Sequence, residues 1–391
     1  MKLTRVGVDL AKSIFQLHGV DRAERAVWCK RLKRNCWIKE IEQNVEPGVE
    51  IGMEACGGAH HWARLLQSKG YRVRLIAPQF VKPYVKSNKT DATDAQAVCE
   101  AMSRPSMRFV AVKSIEQQDI QAVHRVRASL ISARCAKANQ LRGLAYEYGL
   151  VAPREIAALR QAVPAWLEDA SNGLTVRLRA LLAGLYADLR ALDERVRELD
   201  KEIRAIGREN EAVGRVQQLR GIGPLIASAL VAMIGDARQF KNGRHVAVAL
   251  GLTPRQHSSG SKERILGISK RGDSYVRTLL IHGARSALRT APGKNDRMSR
   301  WALALAKRSH VNVAVTALAN KMARVAWAML RHGTPSARSA RPRTPLRLRP
   351  KRRSGTRRPS RRRTPDICWI WRSSSPIQTA TAKPRRSTDA P

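Results

Sequence analysis

Four carboxylates in the first hundred residues carry the clearest chemistry in the chain. Asp9 follows the apolar run Val6-Gly7-Val8, Glu54 follows Ile51-Gly52-Met53, and Asp91 and Asp94 lie together in Lys89-Thr-Asp91-Ala-Thr-Asp94-Ala95. In a strongly basic protein, acids at the ends of apolar stretches are not explained by solubility and read as metal ligands. Hard oxygen donors suit Mg²⁺, with Mn²⁺ as the alternative. Two such ions held ~3.5–4 Å apart activate one oxygen and stabilise the other in a phosphodiester exchange. Asp91 and Asp94 stand three apart, so on a helix both leave the same face. Asp9 alone is an ordinary strand end; the ordered set of four carries the reading. Lys86 and Lys89 precede the acidic pair and would neutralise phosphate there, or simply be solvated loop lysines. His60 and His61 follow Glu54 by about one turn and read as helix-surface residues.

Two further groups point to phosphate. Ser258-Ser259-Gly260 sits in a loop flanked by Arg255, Lys262, Arg264, Lys270 and Arg271. A serine hydroxyl in that setting can act as a nucleophile and form a covalent phosphoserine, although the tripeptide alone is a common loop sequence. Gly221-Ile-Gly223-Pro resembles the turn of a helix-hairpin-helix element, where glycines let backbone N–H groups approach a phosphate without reading sequence. The same turn also joins helices in proteins that never touch nucleic acid.

The elements that must position these residues follow from periodicity. Strands are expected at 4–9, 13–20 and 26–32, a helix at 38–45, a strand at 49–54, a helix at 59–69, a strand at 71–77 and a helix at 91–102. Three antiparallel strands followed by strand–helix units is the ribonuclease H-like order, which brings acids from the first strand, the fourth strand and the last helix to one edge. Residues 1–103 are thus expected to form a ribonuclease H-like α/β domain. Residues 104–210 read as a helical linker. Its stretches 115–148 and 175–210 include a coiled-coil-like leucine stripe whose partner is either the first stretch or a second subunit. Arg125, Arg127, Arg134 and Arg142 of the first stretch read as a plain charged helix face, or else as contacts to a nucleic-acid backbone. Residues 211–333 are expected to be a mostly α domain carrying the hairpin-like turn and the serine loop. Residues 334–391 are rich in Arg, Pro and Ser, lack periodicity and cannot form a core.

Composition narrows the partners. A formal net charge of +42, about two-thirds of it before Thr334, calls for a polyanion, and nucleic acid fits best. No apolar run approaches the ~20 residues of a membrane span and no signal peptide is evident, so a soluble cytoplasmic protein is expected. The six cysteines form no CxxC and no Cys/His cluster, which points to free thiols without structural zinc. Aromatic residues make up 5%, too thin for a stacking platform that binds single strands.

The combination of Asp9, Glu54, Lys89-Thr-Asp91-Ala-Thr-Asp94-Ala, Gly221-Ile-Gly-Pro, Gly251-Leu-Thr-Pro-x4-Ser259-Gly and Gly267-Ile-Ser-Lys-Arg-Gly-Asp273 resembles the DEDD transposases of the insertion-sequence-110 type. The likeness covers about residues 1–333, and its closer branch carries Pro-Arg-Gln-x-Ser-x-Gly. The resemblance implies a RuvC-like domain over residues 1–103 with Mg²⁺ on Asp9, Glu54, Asp91 and Asp94, and a transposase domain over 211–333 whose Ser259 attacks DNA, with Ser258 as the alternative nucleophile. It also implies exchange through a 5′-phosphoserine, a noncoding bridge RNA that pairs with target and donor DNA, and a dimer or tetramer. Residues 334–391 depart from the family pattern. They read as a shifted reading frame, or else as a basic arm adding nonspecific affinity. Two rival readings are a RuvC-like nuclease using water and a nonenzymatic architectural protein.

Overall fold

The computed structural model describes residues 2–86, 90–260 and 262–333. The expectations for Lys89 and for residues 334–391 lie outside these described residues.

The chain begins with an antiparallel meander, β1 (Arg5–Leu10), β2 (Ile14–Val20) and β3 (Ala26–Lys33). Helix α1 (Trp37–Asn44) leads to β4 (Glu50–Glu54), which runs parallel to β1. Helix α2 (Ala59–Ser68) then leads to β5 (Arg72–Ile76), parallel to β4. After α3 (Pro78–Val81) and α4 (Asp91–Met102), a two-residue strand β6 (Phe109–Val110) pairs antiparallel with β5. The sheet order is β3-β2-β1-β4-β5-β6, the expected ribonuclease H-like arrangement with β6 added at one edge. Two residues are too short to show an alternating pattern, which is why sequence did not reveal that strand.

The two faces of this sheet are packed differently. On one, Val6, Val8, Phe15, Leu17, Ile51 and Met53 are buried under α1 and α2. There Phe15, Trp37 and Trp62 meet edge to face at 4.9–5.5 Å between ring centres, a geometry the ring quadrupoles favour. The other face is bare at Gly7 and Gly52, and α4 lies directly on it. A Cβ on Gly7 would fall 2.3 Å from the Ala95 carbonyl oxygen and 2.6 Å from the Cys99 nitrogen; one on Gly52 would meet the Met102 sulfur at 2.2 Å. The absent side chains set how closely the helix approaches the strands.

The middle of the chain is helical: α5 (Ile115–Tyr146), α6 (Ile156–Glu168) and α7 (Val176–Glu209). Ion pairs Arg127–Asp200 (2.6 Å), Arg134–Asp193 (3.3 Å) and Lys137–Asp188 (3.1 Å) show that α5 and α7 run antiparallel. Leu182, Leu189, Val196 and Ile203 recur on the buried stripe of α7. The stripe's partner is therefore α5 of the same chain. Helix α6, which contains Pro164, lies between the two stretches that periodicity predicts to be helical. Its Arg160 holds the buried Asp193 through two bonds of 2.7 and 2.6 Å.

The last part comprises α8 (Glu211–Gln217), α9 (Pro224–Ile234), α10 (Gly243–Ala249), strands β7 (Pro254–Gln256) and β8 (Ile265–Ile268), α11 (Ser274–Arg289), α12 (Arg297–Arg308) and α13 (Val311–His332). Its helices share one core, with Val213, Leu230, Leu250, Leu280, Leu318 and Met322 at the centre. The segment read as a serine loop is an antiparallel β7–β8 hairpin with a register shift. Strands of three and four residues are too short to show in the sequence pattern.

Candidate active site

The parallel register Val8↔Met53 sets Asp9 and Glu54 side by side at the ends of adjacent central strands. Each lies two residues beyond a glycine that faces α4, so both belong to that face. Both are half-buried. The Cys56 thiol senses the pair: burial pushes its pKa up, and the negative charges of Glu54 and Asp9 push the same way. Asp91 and Asp94 occupy the first turn of α4, immediately before Ala95, whose carbonyl lies on Gly7. Thr90 and Thr93 cap that turn reciprocally: each side chain accepts from the other's backbone N–H, at 3.2 and 3.0 Å. Asp94 is half-buried and Asp91 exposed.

The donor set of four carboxylates fits a hard divalent cation, and the glycine cradle brings the helix that carries two of them onto the strand that carries a third. Among the described residues, no three His, Cys, Asp or Glu side chains are gathered closely enough to hold a metal ion. The structure thus pairs Asp9 with Glu54 and sets Asp91 and Asp94 on the covering helix, without closing the four on one point.

The serines lie at the tip of the β7–β8 hairpin. Ser259 N–H donates to the Lys262 carbonyl at 3.3 Å and Lys262 N–H returns to the Ser259 carbonyl at 3.1 Å, closing a tight turn in which Gly260 has φ +56°. The Ser258 hydroxyl accepts from Gln256 Nε2 at 3.0 Å. Ser258, Ser259, Arg255, Lys262, Arg264, Lys270 and Arg271 are all exposed. The hairpin base is fixed: a Cβ on Gly251 would lie 2.1 Å from the Arg271 carbonyl oxygen, and one on Gly272 would lie 1.8 Å from that of Ala249. A pinned base and an exposed basic tip suit a nucleophile presented to a large substrate.

The other predicted positions fall as follows. Gly221 (φ +81°) packs on α11, where a Cβ would meet the Gly283 carbonyl oxygen at 2.4 Å; helix packing thus accounts for this glycine. Gly223 is exposed at the N-terminus of α9. Lys86 pairs with Glu100 at 3.0 Å, so its charge is partly satisfied within the protein. His61 is exposed, but His60 is half-buried and its Nδ1 accepts the Lys113 backbone N–H at 3.2 Å, which corrects the surface reading for that residue.

One polar cluster had no sequence signal. His124, a lone histidine in an amphipathic helix, is 3% exposed and bridges Tyr275 Oη (3.0 Å) and Ser228 Oγ (2.9 Å). Ser228 donates to the Pro224 carbonyl, so His124 Nε2–H donates to Ser228 and Nδ1 accepts from Tyr275. Burial, with Arg127 adding to it, lowers the His124 pKa to about 4. This neutral imidazole ties α5 to α9 and α11.

A ribonuclease H-like sheet with acids at its central strand ends, joined to a helical region bearing a basic serine hairpin, defines a DNA-cleaving and rejoining enzyme of the DEDD class. The DEDD transposase model of the IS110 type matches residues 6–149, and the model described as the transposase IS116/IS110/IS902 family matches residues 213–302. The chain belongs to this transposase family. It is 49% identical over 335 residues to the "Probable family 20 transposase" of Pseudomonas aeruginosa, covering 85% of this chain and 98% of the relative. It is 46% identical to the transposase for insertion sequence element IS1111A of Coxiella burnetii, covering 83% and 89%. Identity to the transposase for IS1328 of Yersinia enterocolitica is 37%, covering 85% and 98%. Among the described residues, no helix is long and apolar enough to cross a membrane.

Proposed function

We propose that this transposase binds DNA and cleaves and exchanges its strands through a covalent phosphoserine on Ser259. The observation that carries the reading is the presence, in one chain, of strand-end carboxylates and an exposed serine at the tip of a basic hairpin. Arg255, Lys262, Arg264, Lys270 and Arg271 hold the phosphates that flank the scissile bond, and the exposed Gly223 end of α9 offers backbone N–H groups to a further phosphate. The Ser259 oxygen attacks phosphorus, the bond from phosphorus to the 3′-oxygen breaks, and the serine proton ends on that 3′-hydroxyl. The 5′-phosphoserine retains a phosphoester bond, so a 3′-hydroxyl from the other DNA attacks it and releases Ser259 with the strand rejoined. Asp9, Glu54, Asp91 and Asp94 would hold Mg²⁺ or Mn²⁺, which when bound supplies charge stabilisation at the phosphoryl oxygens.

Sequence choice comes from an element-encoded bridge RNA, in keeping with a basic protein whose described residues show no base-reading module. In this reading residues 1–103 carry the acids, 104–210 form the spacing arm and 211–333 present the serine. The protein works as a dimer or tetramer in the cytoplasm, because two DNAs must be held together. The separate settings of the half-buried acids and the exposed hairpin favour a second reading, in which the acids direct a water molecule and the serine is idle. Recombination of a plasmid carrying the element ends, with its flanking RNA, tests the two: Ser259→Ala and Asp9→Ala both abolish exchange in the first, whereas Ser259→Ala leaves cleavage nearly intact in the second.

A further inference from the structure

Between α5, α9 and α11 lies a cleft of about 280 Å³ whose lining includes Gln121, His124, Arg125, Asp273 and Tyr275. Arg125 and Asp273 are the charged side chains of that lining, and Lys113 and Arg64 add positive charge beside it. Of the four arginines on α5, Arg127 and Arg134 pair with Asp200 and Asp193, and Arg142 binds the carbonyls of Pro153, Arg154 and Glu155. Arg125 makes no ion pair or hydrogen bond among the described residues. Beside it, Lys113 reaches Gln121 on the cleft wall, Nζ to Oε1 at 3.0 Å. Arg64 stands behind, donating to the Lys113 carbonyl at 2.7 Å and to Gln118.

The cluster's own electrostatics register the imbalance. Burial lowers the Lys113 pKa, Arg125 lowers it further, and Asp273 opposes them. Burial, then Lys113, Arg64 and Arg125, lower the His60 pKa to about 4, so that ring adds no charge. Asp273 is engaged as the cap of α11, accepting the Val276 N–H at 2.9 Å. Asp273 is the carboxylate that acts on Lys113, and it already serves a helix. Lys113 and Arg64 are half-buried and Arg125 is exposed at the cleft's edge, and such an excess of cations over carboxylates is stabilised by a bound anion. The α11 N-terminus lines the same cleft and follows shortly after the serine hairpin, so an anion held here would lie near the segment that anchors β8.

We infer that this cleft, through Lys113 and Arg125, binds a phosphodiester group of the nucleic acid on which the transposase acts. The inference rests on the nucleic-acid-binding part of the proposed function, and duplex DNA and RNA share the chemistry it requires. The test compares the full-length K113Q/R125Q protein with an R195Q/K201Q control, which removes the same charge from the exposed side of α7. Binding of a labelled DNA duplex and of a labelled RNA hairpin is followed by fluorescence anisotropy between about 50 and 200 mM salt. We expect K113Q/R125Q to weaken binding by about tenfold and to reduce the salt slope by about 1. The control should stay within about twofold, and K113R/R125K should restore the wild-type value. A loss confined to one probe names the strand that occupies the cleft; a loss on both assigns it to either backbone. Equal losses in the cleft and control variants on both probes overturn the inference. If K113Q/R125Q fails to fold, R125Q alone, on an exposed side chain, is read in the same way with a smaller expected loss. Wild-type protein that binds neither probe would instead sink the nucleic-acid reading itself, which separates the two failures.

Discussion

Asp9 and Glu54 are held by contacts between residues far apart in sequence, whereas Ser259 is held by a turn of its own neighbours. The first site depends on strand register, on α4 seated against Gly7 and Gly52, and on a buried aromatic cluster across the sheet. The second depends on two backbone hydrogen bonds to Lys262 and a left-handed glycine. The lesson is that one chain can divide its chemistry between a frame that cannot shift without unfolding and a tip that can. Substitutions around the acids should therefore lower stability along with activity, while those at the hairpin tip should touch activity alone.

The sharpest division should appear in strand exchange. Ser259→Ala is expected to reduce exchange by about 10⁴-fold or more with an unchanged melting temperature, measured on the same preparation by recombination assay and thermal denaturation. Asp9→Ala should lose as much activity. Next in size is backbone crowding. Gly7→Ala forces a methyl against the α4 backbone and should cost about 2–3 kcal/mol in denaturant unfolding. Gly52→Ala meets only the Met102 thioether, which can move, and should cost about 1 kcal/mol. Gly260→Ala has open space but φ +56°, so its cost of about 1–2 kcal/mol falls on the turn: activity drops while the global transition stays in place. A Gly260→Ala variant that unfolds with Gly7→Ala would erase the contrast between frame and tip.

Acid should also loosen the packed helices. His124 and His60 both have pKa values near 4 when folded, below the ordinary 6.5. Because the folded forms are held neutral, the unfolded chain takes up protons first as pH falls. Stability is then complete above about pH 6.5 and is lost between about 6.5 and 4, with a slope of up to about 1.4 kcal/mol per pH unit for His124 and less for the half-buried His60. Urea unfolding across that range should show the loss, and His124→Gln should flatten it. The smallest effect expected is that of Ser258→Ala, which removes one exposed hydrogen bond to Gln256, changes stability by under about 0.5 kcal/mol and leaves exchange intact.

Much of the frame was legible because its strands alternate and end at acids. The limits of β1, β4 and α4 fall within a residue or two of those read from the pattern, and the i, i+3 spacing put Asp91 and Asp94 on one helix turn. What escaped were features made by tertiary contact. The serine segment read as a loop because strands of three and four residues carry no period. Gly221 reads from sequence as a phosphate turn or a plain helix junction, and neither reading shows that its backbone meets Gly283 on a helix distant in sequence. Arg125 looked like its neighbours on α5, and only the ion pairs made by Arg127 and Arg134 set it apart. His124 gave no signal, since its partners Ser228 and Tyr275 come from helices that sequence cannot bring together.

The central claim, that the hairpin serine and not water attacks DNA, is tested most directly by trapping the intermediate. Protein, flanking RNA, Mg²⁺ and end-labelled donor and target DNA are incubated, denatured and digested, and the labelled peptide is identified by mass spectrometry. The account predicts a nucleotide phosphate on Ser259, absent from Ser259→Ala and dependent on Asp9. Free cleaved ends that persist in Ser259→Ala, with no DNA attached to the peptide containing residues 258–260, would contradict it.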